Sequence, residues 1–179
     1  SAVPALLALS SLRMSEIAAL RWENIPEDPD VIQVSGAVVR DEHDRPTFKK
    51  QNKNASSARM VPVLIPELKA AIKRDRLPDG PVLAITPNRF RDRVNDVCEE
   101  NGLPKVGIHG LRHSFASLAY HLQMPEKIAM EIGGWSDAGT MNRIYTHIAQ
   151  SDIERYKQAI GAFYDQKNTN NNANENVNA

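Results

Sequence analysis

From Val31 to Leu64 the apolar residues of this chain leave helical spacing and fall in short runs rich in valine and isoleucine, whereas on either side they recur at helical spacing. The segments Val31-Ile-Gln-Val34, Ala37-Val-Val-Arg40 and Arg59-Met-Val-Pro-Val-Leu64 are predicted to be short strands. Polar turn material separates them, including Asp41-Glu-His-Asp44 and Asn52-Lys-Asn54. A chain patterned this way can fold as a mainly helical body with a small sheet, and as little else.

The helical segments are legible from their punctuation. Pro4 to Ser10 reads as a short helix, and Ser15 as the N-cap of a second one ending near Leu20, with Ile17 and Leu20 on one face. Pro66 opens a helix with Leu68, Ala71 and Ile72 facing inward. Pro87 opens another that runs to Asn101 and stops at Gly102. From His109 to Leu122 the residues Leu111, Phe115, Leu118 and Leu122 are predicted to form a core stripe. Shorter helices are expected at Glu126 to Ile132 and Thr140 to Ile148, around Gly133-Gly134. Ser151 or Asp152 then caps a last helix with Ile153, Tyr156, Ile160 and Phe163 on one face. Beyond Lys167 the Asn-rich run cannot bury a core and is expected to be disordered.

Length and charge narrow the function classes. The 179 residues suit one domain with a real core. No apolar run approaches the roughly 20 residues that span a bilayer. The start, Ala2 to Leu9, lacks the basic leader of a signal peptide, so no membrane partner is expected. A single cysteine, Cys98, excludes a disulfide framework and makes a reducing compartment the default. The net charge is zero, yet residues 37–93 hold 13 Lys and Arg against 7 Asp and Glu. Such a basic middle can track phosphates, because affinity follows the local patch. An ordinary solvated surface reads the same way from charge alone.

His109 and Arg112 stand three residues apart in His109-Gly-Leu-Arg-His113, hence on one side of a helix. A guanidinium at a helix start holds two oxygens of one phosphate, and the helix N-terminus adds its own preference for anions. The alternative is that Arg112 pairs with a carboxylate while His109 caps. His109 and His113 also have the i, i+4 spacing of zinc helices, but Gly110 replaces the glutamate of that motif and no third ligand is evident. His113 reads better as a buried orienting histidine. Tyr145, alone, would be an ordinary core or surface tyrosine. Its phenol, with a pKa of about 10, becomes a nucleophile only beside cations and a proton acceptor. Arg13, Arg112 and His109 would supply these.

Four collinear motifs over residues 3–165 resemble the tyrosine recombinase (phage integrase) family. They are Leu12-Arg-Met-Ser-Glu-Ile17 with Leu20-Arg-Trp22, and Asn52-Lys-Asn-Ala-Ser-Ser-Ala-Arg-Met-Val-Pro62. His109-Gly-Leu-Arg-His113 follows, then Gly134-Trp-Ser136 leading to Tyr145-Thr-His147. The resemblance implies an α+β, predominantly helical catalytic domain over residues 1–166, with a small three-stranded antiparallel sheet at one edge. Residues 167–179 would be a disordered tail, and the family's N-terminal core-binding domain would lie outside this chain, leaving weak, salt-sensitive DNA binding.

The implied activity is that of a site-specific DNA recombinase or integrase of a phage or mobile element, working through a 3′-phosphotyrosyl intermediate. Arg13 and Arg112 would clamp the scissile phosphate. Lys53, on a hairpin, would protonate the leaving 5′-oxygen, and His109 would accept or orient a proton. Tyr145 would attack phosphorus. Trp135 stands where the family usually has His and sometimes Trp, and would pack against the site. Glu16 and His113 would support it. Spacing to Arg59 and Val61-Pro62 favours Lys53 over Lys49 and Lys50 as the catalytic lysine. Lys49, Lys50, Arg59, Arg89, Arg91 and Arg93 are candidate DNA contacts.

One phosphoester is exchanged for another, so neither metal nor ATP is expected, consistent with the absence of a G-x-x-x-x-G-K-[ST] loop. Double-stranded DNA is the implied partner, with a homo-tetramer on DNA, a monomer in isolation, and the bacterial cytoplasm or nucleoid as location. A type IB topoisomerase-like or telomere-resolving enzyme shares this residue inventory, and a catalytically inactive DNA-binding module could retain it. The chain departs from the family where Ser10-Ser11 replace the usual Thr-Gly before Leu12. A left-handed turn there would cost Ser more than Gly.

Overall fold

The computed structural model describes residues 1–50 and 59–175. By compactness the chain divides into a larger unit, Ser1–Met141, and a smaller one, Asn142–Ala179. In the larger unit α1 (Val3–Leu9), α2 (Met14–Ile17) and a 3-10 turn (Trp22–Asn24) precede the strands β1 (Val31–Val34), β2 (Gly36–Arg40), β3 (Pro46–Lys50) and β4 (Arg59–Pro62). Then come α3 (Pro66–Asp75), α4 (Pro87–Glu100), α5 (Ile108–His121) and α6 (Glu126–Gly133), and α7 (Gly139–Glu175), whose residues from Asn142 onward belong to the smaller unit.

The strands form two antiparallel pairs rather than one three-stranded sheet. β1 pairs with β4, in a register that sets Val34 opposite Arg59 and Ile32 opposite Val61. β2 pairs with β3, Val38 facing Phe48. The strand β3 escapes a sequence reading because Pro46-Thr-Phe-Lys-Lys50 carries a proline and two lysines and buries no apolar face; its Phe48 is 56% exposed. Proline at the first position of a short, basic strand is the composition of an edge.

One apolar core ties α1, the α2 region, β1, β4, α3 and α4 together. Val3, Leu7, Leu12, Ile17, Trp22, Ile32, Val61, Leu68, Ile72 and Phe90 are buried in it. Each such Leu or Ile stabilises the fold by about 2 kcal/mol relative to exposure. The inward set expected on α3, Leu68, Ala71 and Ile72, is buried. The helix α4 is capped by Thr86, whose hydroxyl accepts the Arg89 N–H at 3.3 Å, and Gly102 lies just past its end with φ +64°.

Two helices differ from the pattern read in sequence. On α5 the buried residues are Arg112, Phe115, Ala116 and Ala119, while Leu118 and Leu122 are 50% and 64% exposed. The inward face is turned toward the short side chains, which let α5 lie close to α1, and toward carbonyls that bind Arg112. On α2 the N-cap is Arg13, and Ser15 sits inside the helix. The Glu16 carboxylate reaches back to accept the Arg13 N–H at 2.7 Å, the returning half of a capping box.

The smaller unit is helical. α7 runs unbroken from Gly139 to Glu175, with no boundary at Ser151. Asp152 and Arg155 form an i, i+3 ion pair at 3.1 Å across the place where a cap was expected. The Asn-rich stretch is helical as far as Glu175, since Asn costs only a few tenths of a kcal/mol per helical position and no proline intervenes. Residues 176–179 lie outside the described residues. Among the described residues no helix is long and apolar enough to cross a membrane.

Candidate active site

The C-terminus of α6 organises the larger unit's polar centre. Gly134, at φ +64°, ends the helix in a left-handed turn, and Trp135 N–H returns to Met130 O at 3.0 Å. The last carbonyls of a helix carry partial negative charge and lack helical donors. Here three guanidiniums take their place. Ile132 O accepts Arg59 Nε at 3.0 Å, Gly133 O accepts Arg112 Nη2 at 2.6 Å, and Gly134 O accepts Arg13 Nη2 at 2.5 Å. Arg13 and Arg112 are therefore seated on adjacent peptide units, although 99 positions separate them in the chain.

Among the described residues, the carboxylate that serves this cluster is Glu16. The Glu16 side chain is fully buried and accepts Arg13 Nη1 at 2.9 Å, Arg59 Nη1 at 2.9 Å and Arg59 Nη2 at 3.2 Å. Burial pushes its pKa up, but the hydrogen bond and charge of Arg59, together with those of Arg13, outweigh burial and hold it below its ordinary value. Arg59 was expected among the DNA contacts. Instead its side chain is 7% exposed and turned inward, because its place on β4 puts it on the same face as the buried Val61.

Arg112 is the most enclosed of the site's expected cations, at 3% exposure. It donates through Nη1 to the Ser11 carbonyl and through Nη2 to Gly133 O, and its Cζ lies 4.5 Å from the centroid of the Trp135 ring. Burial, then the charge of Arg13, push its pKa down from 12.5 to about 9, Glu16 opposing and Arg59 adding to the effect. A guanidinium stays protonated at neutral pH, so Arg112 is a largely desolvated cation beside the charge of Arg13. Both of these Arg112 hydrogen bonds go to backbone carbonyls rather than to a carboxylate, and α5 is N-capped by Gly107 rather than by His109.

Trp135 lies against two of the site's neighbouring side chains. It is 9% exposed, stacks on Phe115 with centroids 6.2 Å apart, and floors the Arg112 guanidinium. Gly133 makes room for this: a Cβ there would stand 1.9 Å from the indole ring. A Cβ on Gly134 would meet the Arg59 guanidinium at 2.8 Å. Ser11 adopts φ +84°, a left-handed conformation that suits glycine better than serine, and its hydroxyl donates to Ile132 O at 3.2 Å. Arg13 follows this turn with a side chain 35% exposed, so its guanidinium is open to solvent on one side.

Residues 2–152 match the phage integrase family. The chain belongs to that family. It is 29% identical over 151 residues to the tyrosine recombinase XerC of Xanthomonas axonopodis pv. citri, an alignment spanning 78% of this chain and 43% of the relative. A stretch of 67 residues is 31% identical to an integrase of Saccharopolyspora erythraea, covering 37% of this chain and 15% of that one. In fold it is similar to the Tn1549 transposon integrase solved with circular intermediate DNA, with a TM-score of 0.63 and 20% identity over 86% of this chain and 57% of that one. The XerH recombinase bound to a palindromic difH substrate aligns with a TM-score of 0.51 and 20% identity, over 87% of this chain and 44% of that one. The chain thus spans less than half the length of the XerC relative.

Within this integrase-family fold, His109 lies exposed in the first turn of α5, and His113 is half-buried one turn later. Lys49 is exposed on β3, and Arg89, Arg91 and Arg93 are exposed on α4, with Arg91 paired to Asp92 at 3.2 Å. Lys50 closes β3. Lys53 lies outside the described residues. Tyr145 stands in the second turn of α7, in the smaller unit. Sequence reasoning missed Arg59 as a structural member of the cluster; its strand phase with Val61 was the available signal. It also missed the α6 carbonyls, which no side-chain pattern announces.

Proposed function

We propose that this chain is the catalytic region of a site-specific DNA recombinase, one that cuts and rejoins strands through a 3′-phosphotyrosyl intermediate on behalf of a phage or other mobile element. The observation that carries the reading is the seating of Arg13 and Arg112 on neighbouring α6 carbonyls, with the Glu16 carboxylate bound by Arg13 and Arg59 and none bound to Arg112 by the bonds described above. That leaves net positive charge where an anion can bind, in a partly desolvated site where such donors act most strongly.

In this mechanism Arg13 and Arg112 bind the non-bridging oxygens of the scissile phosphate. The Tyr145 phenolate oxygen attacks phosphorus, forming the P–O(Tyr) bond as the P–O5′ bond breaks. The phenolic proton passes to His109, and Lys53 protonates the departing 5′-oxygen. Attack by a 5′-hydroxyl of the partner strand reverses the steps and releases Tyr145. Bond energy is conserved in the phosphotyrosine, so the exchange requires neither ATP nor a metal ion. Trp135 holds the Arg112 plane rather than carrying a proton. The double-helical substrate is bound through the basic stretch that includes Lys49, Lys50, Arg89, Arg91 and Arg93. Four copies assemble on two sites, and the exposed α7 stripe of Ile153, Tyr156, Ile160 and Phe163 is available for contact between copies.

The test is a nicked duplex carrying the attachment core of the element that encodes this chain. Wild-type protein is expected to trap a covalent adduct with the 3′ end, and Tyr145→Phe to trap none. Adduct formation that survives Tyr145→Phe would assign the nucleophile elsewhere. Relaxation of supercoiled DNA with no site requirement would instead indicate a topoisomerase.

A further inference from the structure

Arg59 lies outside the inventory that the resemblance assigns to the reaction, yet all three nitrogens of its guanidinium are engaged inside the site. We propose that Arg59 is a positioning residue, holding the Glu16 carboxylate and the Ile132 carbonyl in one planar fork so that Arg13 and Arg112 stay aimed at a common anion. The proposal rests on the phosphoryl-transfer reading above.

Three observations support it. Arg59 bridges the two anchors that the other arginines use: Glu16 also binds Arg13, and Ile132 precedes in sequence the two residues whose carbonyls hold Arg112 and Arg13. A planar fork suits this double task, because the two terminal nitrogens take both carboxylate oxygens while Nε points to a third acceptor. The third observation is electrostatic. Without Arg59, Glu16 would form a one-to-one pair with Arg13 and cancel the charge that Arg13 offers a phosphate. With Arg59 present the carboxylate is shared, and three guanidiniums stand against one buried carboxylate among the described residues of the cluster. Gly134 is shaped to the same end, since any side chain there would collide with the Arg59 guanidinium.

The test uses Arg59→Lys, which keeps the charge and loses the fork, with Glu16→Gln and the double variant in the full chain. Arg59→Lys is expected to form the covalent adduct at least about tenfold more slowly, in the range seen when a preorganised donor is disturbed. Duplex affinity should stay within about twofold, with an unchanged salt slope. The double variant should be no slower than the slower single one, because both act through one contact. A wild-type rate for Arg59→Lys, or additive losses in the double variant, would overturn the proposal. So would a loss of duplex affinity of about tenfold or more, the mark of a direct phosphate contact.

A readout independent of activity is the guanidinium Nη–H resonances of Arg112 and Arg13, the groups that make their hydrogen bonds, in 15N-arginine-labelled protein. In Arg59→Lys they are expected to shift and to exchange with solvent at least about tenfold faster, as local protection is lost. Unmoved resonances would overturn the positioning role. If they move but wild-type protein forms no adduct, the positioning role stands and the strand-transfer reading fails.

Discussion

The carbonyl of Ser11, held at φ +84°, receives a guanidinium N–H of Arg112 from 101 positions away. The same serine donates its hydroxyl to Ile132 O at 3.2 Å, so a left-handed residue links α1, α5 and α6. The unfavourable conformation costs a non-glycine residue about 1–2 kcal/mol, and the hydroxyl bond returns about 1 kcal/mol. Ser11→Gly is therefore expected to unfold within about 1 kcal/mol of wild type, strain relief balancing the lost bond. Ser11→Ala should lose about 1 kcal/mol, keeping the strain without the bond. Ser11→Val should lose at least about 2 kcal/mol, since a β-branched residue at positive φ is also overpacked at a fully buried position. Urea unfolding of the three variants checks the order.

Glu16 should make the protein acid-sensitive in a specific window. Its pKa in the fold lies below the ordinary 4.5. The stability it contributes is complete above the unfolded value and is lost as pH falls through the lowered folded value. Glu16→Gln removes this contribution and leaves Arg59 without its buried partner, at an expected cost of about 3 kcal/mol at pH 7. The gap in Tm between wild type and Glu16→Gln is expected to be widest at neutral pH and to narrow below about pH 4, as the wild-type carboxyl protonates. A gap independent of pH would show that the carboxylate's charge is not what stabilises the cluster.

Gly133→Ala poses two opposed effects. Alanine inside a helix is favoured over glycine by about 1 kcal/mol. Against that, the new Cβ would lie 1.9 Å from the Trp135 ring, which is itself wedged between Phe115 and Arg112. Displacing a packed ring costs about 1–3 kcal/mol, so a net loss of stability is expected. Adduct formation should fall with it, because Trp135 is the floor beneath Arg112. Trp fluorescence should report the displacement directly. Trp135→Phe, which keeps a ring there, should be milder than Trp135→Ala, whose cavity costs about 3–5 kcal/mol.

The rotated face of α5 has its own check. Leu118→Lys and Leu122→Lys are expected to change unfolding free energy by no more than about 0.5 kcal/mol, as exposed substitutions do. Ala116→Leu, at a fully buried position, should cost about 1–3 kcal/mol by overpacking. If Leu118→Lys proves severe, the face read from sequence would be the right one.

The residues that local rules govern were legible in the chain. Pro66 and Pro87 open helices, Gly102 follows the end of one, and the short runs rich in valine and isoleucine mark β1, β2 and β4. These follow from backbone geometry within a few residues, which apolar spacing records directly. The motif around Arg13, His109, Arg112 and Trp135 was legible too, and the structure gathers Arg13, Arg112, Trp135 and Glu16 about one helix end.

The sequence by itself thus determined most of the helical segments and three of the four strands, the family, and which residue types could serve a phosphate. Only the tertiary structure decided that Arg59 faces inward, that α5 turns Arg112 rather than Leu118 to the core, and that Ser11 takes the left-handed turn. The physical reason is common to all three. Burying a cation or holding a serine at positive φ is unfavourable locally, and becomes stable only when distant acceptors converge on it. Those acceptors are backbone carbonyls at the end of α6 and one carboxylate on α2, and every residue has a carbonyl, so no side-chain pattern marks which of them will converge on a distant cation.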